Sequence, residues 1–182
     1  MKRFLALCFI LPGLGAPLGY GHAASAAGPH GGRASQGATQ NGPGQTVVDG
    51  SGQAAASPFG RATLKSLVAH FGGTATFRQL STHTNADKKQ VLCGQISLDP
   101  TARPADDSFM PFGAQEDGDE PVVFQAHALP ASIDPGQANQ WINHGADLEA
   151  LEELGCVPEG SYRQYSDKLN DLLQHHRRSI AR

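Results

Sequence analysis

Apolar residues recur at helical or strand spacing from Ser57 onward and are nearly absent between Ala24 and Ala56. Leu64, Leu67, Val68 and Phe71 fall at i, i+3, i+4 and i+7, which is one apolar face of a helix. Ser57 at the N-cap, Pro58 at the first helical position and Gly72-Gly73 beyond the last turn bound that helix as Ser57–Phe71. Thr74–Thr82, rich in threonine and carrying Phe77 and Leu80, reads as a strand. A polar turn, Asn85–Lys89, joins it to Gln90–Leu98, the strongest strand pattern in the chain, so the two predict a hairpin. Alternation puts Leu92, Gly94, Ile96 and Leu98 on one face and Val91, Cys93, Gln95 and Ser97 on the other.

Asp99–Glu120 shows no period and reads as a long irregular loop, with Phe109–Phe112 packing back and Gln115–Glu120 in water. Pro121–Leu129 predicts a third strand with Val122, Phe124, Ala126 and Ala128 on one face. Asp134-Pro135-Gly136-Gln137 is close to a capping box and opens a second helix, whose stripe runs from Ala138 and Trp141 to Leu151 and Leu154 before Gly155. A third helix runs from Ser161 to about Arg178, with Tyr162, Tyr165, Leu169, Leu172 and Leu173 as its stripe. The expected fold is α+β over residues 57–182: a small antiparallel three-stranded sheet packed by one N-terminal and two C-terminal helices.

What precedes this domain has another character. Lys2 and Arg3, the apolar run Phe4–Leu11 and small-residue sites at Gly21-His22-Ala23 or Ala24-Ser25-Ala26 predict a cleaved secretory signal over residues 1–23. Residues 24–56 are mostly Gly, Ala, Ser, Gln, Pro and Thr, with Val47-Val48 the sole aliphatic pair. Such a segment cannot bury enough apolar surface to offset its ordering entropy, so a flexible arm is expected, either a spacer or a segment that orders on a partner. Val47, Val48, Phe109, Met110 and Phe112 are the candidate partner-contact residues.

Charge and cysteine content narrow the class. Two of the 14 lysines and arginines lie in the leader, which leaves 12 against 17 acidic residues, a net charge of −5. That lacks the basic footprint of a nucleic-acid binder. Cys8 lies in the leader, and Cys93 and Cys156 remain. An even number of cysteines in an exported chain favours a disulfide, with two free thiols as the alternative. The same leader predicts export to the periplasm; any membrane association is expected to be peripheral and through partners.

No constellation of catalytic residues stands out, and no metal site is expected. Asp49-Gly50-Ser51-Gly52 is only loosely protease-like and lies in the arm. His83, His127 and His144 fall in separate elements, and Glu116–Glu120 lacks the spaced carboxylates of a calcium loop. His175-His176, in a basic tail, are at most a weak metal pair.

Phe77-Arg78-Gln79-Leu80, then Val91-Leu92-Cys93-Gly94-Gln95, then Phe109–Phe112, resemble small exported bacterial domains with a Phe-Arg strand and a Val-x-Cys-Gly strand, over roughly Ser57–Phe124. The Asn- and Gly-rich stretch of that pattern is replaced here by Asp99–Asp107. In overall character the chain also resembles the small subunits of the membrane-bound quinohaemoprotein alcohol dehydrogenases of acetic acid bacteria. That resemblance implies a non-catalytic accessory subunit in periplasmic ethanol oxidation, with electrons passed to ubiquinone. It implies two partners, a large quinohaemoprotein dehydrogenase subunit and a cytochrome c subunit. Pyrroloquinoline quinone and haem c would belong to the partners and none to this chain. A free-standing periplasmic binding or stress module, and a small hydrolase or thiol enzyme, are the alternatives.

Overall fold

Pairing extends the sheet on both sides of the hairpin. The computed structural model describes residues 39–126 and 128–180, with side chains described for 42–126, 128–134 and 136–174. The expected leader, the arm up to residue 38, His127 and the side chains of His175 and His176 lie outside the described residues. Six strands pair in sequence order: β1 (Thr39–Gly42), β2 (Gln45–Val47), β3 (Ala75–Thr84), β4 (Gln90–Ser97), β5 (Met110–Gln115) and β6 (Val122–Val123). Helix α1 (Pro58–His70) lies between β2 and β3 in the chain, and α2 (Ala138–Glu153) and α3 (Ser161–Ile180) follow the sheet. The α+β class holds, whereas the three-stranded antiparallel sheet is corrected to a six-stranded mixed one.

The mixing has one source. β2 pairs parallel with β3, and every other junction is antiparallel. Parallel neighbours need a crossover, and α1 supplies it. Residues 39–56 are therefore folded into the domain, and their expected flexibility is corrected. Val47 is fully buried beside Leu64, Leu67 and Phe77, and Ser51–Ala55 forms a short 3-10 helix whose Ala55 joins the same core. The tight approach is visible at Gly60, where a Cβ would stand 2.7 Å from the Ala55 backbone.

The first helix obeys its signals. The Ser57 hydroxyl accepts the Gly60 N–H at 3.0 Å, and Gly72 and Gly73 both take positive φ. The β3–β4 hairpin forms as expected, with Asn85 Oδ1 accepting the Asp87 and Lys89 amides in the turn. Leu98 falls past the end of β4 and is 45% exposed, which corrects its expected place on the buried face.

Met110–Gln115, expected as part of a loop, is instead the strand that pairs with the whole of β4's Val91–Ile96. Only Val122–Val123 of the expected third strand joins the sheet. The chain then leaves the sheet, so that Phe124 and Leu129 cover the second core with Ile133, Leu148, Tyr165 and Leu169. The other core lies between α1 and the sheet and includes Leu64, Phe77, Leu92, Ile96 and Phe112. On the opposite sheet face, Leu151 and Leu154 of the α2 end press on Gly113. Glu152 then caps α3, accepting the Gly160 and Tyr162 amides at 2.9 and 2.8 Å. Those two bonds hold its carboxyl below the usual carboxylate range. Among the described residues no helix is long and apolar enough to cross a membrane.

Candidate functional site

The residues expected at a partner surface have other work. Val47 and Phe112 are fully buried, and Phe109 and Met110 nearly so. Val48 is half-buried, and its amide donates to Phe77 O at 3.0 Å. Four of the five candidates thus belong to the chain's own interior, and the contact assignment for them is corrected. Phe109 lies under the Arg78 guanidinium, whose carbon is 4.0 Å from the ring centroid. Arg78 also donates from Nε to Gln95 Oε1 at 2.6 Å, and from Nη1 to the Pro104 and Asp106 carbonyls. One side chain thereby ties the Asp99–Phe109 loop to the sheet.

Cys93 and Cys156 form a disulfide, with Cα atoms 5.1 Å apart. It joins β4, a central strand, to the residue just beyond α2. Gly113 makes this possible, because a Cβ there would sit 2.7 Å from Cys156 Sγ. His83 stands beside the bridge, 4.0 Å from Cys93 Sγ through Nδ1 and 2.9 Å from Leu154 O through Nε2.

The Asp49-Gly50-Ser51 turn also has a structural task. A β-bulge falls between Arg78 and Ser81, and Gln79 takes a φ of 53° there. The bulge turns the Gln79 and Leu80 amides away from β4. Asp49 Oδ2 accepts the first at 2.5 Å, and Ser51 Oγ accepts the second at 2.9 Å. Ser51 Oγ donates in turn to Asp49 Oδ1 at 2.6 Å. Partial burial pushes the Asp49 carboxyl up, but the hydrogen bonds from Ser51 and Gln79 outweigh it and hold it below its ordinary value.

The candidate site is a cleft of about 230 Å³ beside β6. Ser66, His70 and Phe71 from the end of α1 form one wall, Asp147 of α2 forms another, and Val122 and Val123 lie between them beside Glu120. Two shallower clefts share Glu120 and add Asp87, Asp117, Asp119 and Glu153. Among the described residues no lysine or arginine lines any of the three. Behind Asp147 is an aromatic group, in which His144 packs edge-on to Trp141 and Phe124. Tyr165 donates to Trp141 O at 2.7 Å, and burial, then the Asp147 charge, push its phenol above the ordinary value. Trp141 Nε1 and His144 Nδ1 are buried without a hydrogen-bond partner among the described residues.

Among the described residues no three His, Cys, Asp or Glu side chains are grouped to hold a metal ion. The histidines stand apart: His70 in the cleft, His83 at the disulfide, His144 among aromatics. What the cleft offers is an acidic lining beside a strand edge. Comparison with protein families, with characterised proteins and with solved structures finds no match to this chain.

Proposed function

We propose that this chain is a non-catalytic protein-binding module that works in an exported, oxidising compartment as the accessory subunit of a larger assembly. The observation that carries this reading is the acid-lined cleft beside β6, the last strand of the sheet, whose outer edge has no strand partner among the described residues. The Cys93–Cys156 bridge is compatible with export, which the leader pattern of residues 1–23 also supports.

The finer proposal names the periplasmic quinohaemoprotein alcohol dehydrogenase as the assembly, with pyrroloquinoline quinone and haem c in the large and cytochrome subunits. Its support is overall character (the leader pattern, the Gly-, Ala- and Gln-rich stretch 24–56 and the small domain), whereas the motifs at Phe77–Leu80 and Val91–Gln95 resemble small exported bacterial domains more generally. Both motifs also have structural uses in this chain: Arg78 pins a loop, and Gly94 makes room for Leu80 and Phe112. They argue for a shared fold before a shared partner. The test is gel filtration of a gentle detergent extract, probing for this chain and for haem absorbance. Co-migration with a haem-bearing dehydrogenase supports the finer proposal, and co-migration with another protein supports only the broader one. Migration at the monomer size overturns both and leaves a free-standing binding module. One observation favours that alternative: residues 39–47 pair within the chain's own sheet.

A further inference from the structure

We infer that the edge of β6, unpaired among the described residues, takes up an extended, lysine- or arginine-bearing segment of a partner protein as a seventh strand. This deepens the accessory-subunit reading and rests on it. The argument begins with the ladder. Val122 pairs with Gly113 and Val123 with Phe112, and the Phe124 amide donates to Pro111 O at 3.0 Å. Hydrogen-bonded and non-hydrogen-bonded pairs alternate in an antiparallel ladder. With Phe124 bonded to β5, Val123 is the non-bonded rung, so its N–H and C=O point away from β5, to the cleft side. Val123 and Gln125 both line the cleft.

The surroundings select the visitor. A strand laid along this edge runs between the end of α1 and Asp147 of α2, the layout in which main-chain bonds give affinity and flanking walls give specificity. Its side chains meet Glu120 and Asp147, and beyond them Asp117, Asp119 and Glu153, with His70 the one basic group among the described residues of the lining. That lining complements a cationic segment. A second copy of this chain fits poorly, because its β6 edge carries the same acidic lining and offers no charge complement to this one. The edge is guarded against such pairing in the usual ways: β6 is only two residues long and follows a proline.

The experiment is amide-resolved NMR of the full chain with three synthetic peptides: Lys-Val-Lys-Val-Lys, the same peptide N-methylated at alternate residues, and Glu-Val-Glu-Val-Glu. The first peptide is expected to shift the Val123 and Gln125 amides saturably, and less so in high salt. The methylated peptide, which cannot complete a ladder, and the acidic peptide are expected to leave them unmoved. Glu120→Gln with Asp147→Asn should weaken the first peptide by roughly two- to five-fold with spectral dispersion retained. Equal binding of the methylated peptide, shifts confined to other elements, or concentration-dependent self-association through β6 would each overturn the inference. The two readings fail separately. A chain that co-migrates with a partner yet shows no β6 shifts keeps the accessory role and loses this edge. A chain that runs alone yet binds the basic peptide at β6 does the reverse.

Discussion

Removing the Asp49 carboxylate tests whether the 49–51 turn holds the β3 bulge. The carboxylate accepts the Gln79 amide at 2.5 Å, the Ser51 hydroxyl at 2.6 Å and the Ser51 amide at 3.1 Å. A hydrogen bond to a charged group contributes about 1.5–3 kcal/mol. Water reaches this half-buried site and competes for the same donors, so Asp49→Ala is expected to cost about 1–2 kcal/mol in total. The sign with pH follows from the lowered carboxyl. A group whose folded pKa is depressed contributes stability above its unfolded value and loses it as pH falls through the folded one. Urea unfolding followed by Trp141 fluorescence should therefore show the full wild-type advantage near neutral pH. The advantage should narrow as pH falls below the ordinary value of 3.8. Ser51→Ala should be sub-additive with Asp49→Ala, because the Leu80 amide, the Ser51 hydroxyl and the carboxylate form one chain of bonds. An unchanged midpoint for Asp49→Ala at neutral pH, or an advantage that grows in acid, refutes this account.

Two further substitutions probe the sheet from either face. Replacing Cys93 and Cys156 together by Ala opens a loop with a sequence separation of 63, for which chain entropy gives a loss of about 4 kcal/mol. Thermal melts with and without reductant measure it, and a wild-type melt indifferent to reductant would contradict the estimate. Gly94→Ala places a Cβ 2.6 Å from Leu80 Cδ2 and 2.8 Å from Phe112 Cε1, an overpacking expected to cost about 1–3 kcal/mol. Adding Leu80→Ala to Gly94→Ala should cost less than the sum of the two single changes, and strict additivity in denaturant titrations would rule out the clash.

What the sequence made legible was whatever obeyed a local rule. α1 has a serine cap, a proline start and a glycine stop, and it forms within a residue of the expected limits. The hairpin shows its alternation and its turn. β5 could not be read because Met110-Pro111-Phe112-Gly113 offers neither alternation nor a β-rich run. It is sandwiched, with Phe112 against the α1 core and Gly113 under Cys156, so both faces are apolar or small. Thr39–Val47 was illegible for a different reason. Its order comes from pairing with β3 across the α1 crossover, a long-range term that composition does not contain. The Asp49-Gly50-Ser51 signal was visible, but it could be interpreted only once the bulge it serves had been located. The cleft was least legible of all, since its walls come from 66–71, 120–125 and 147, with no spacing to link them.

The disulfide connects these parts in a way that bears on where the chain can work. The α1 core closes on the sheet through side chains of α1 and of β2 to β6, whereas the α2–α3 pair forms its own core and reaches the sheet mainly near Gly113, Phe124 and the Cys93–Cys156 bridge. Asp147, one wall of the cleft, belongs to that second unit. The bridge therefore holds the cleft's walls in register as well as contributing about 4 kcal/mol of stability. Set against a typical margin of about 5–15 kcal/mol, that contribution is too large for the fold to be indifferent to its redox surroundings. An oxidising compartment keeps both the fold and the cleft, and a reducing one weakens the two together. On this argument the proposed accessory role and the proposed export stand on the same sulfur–sulfur bond.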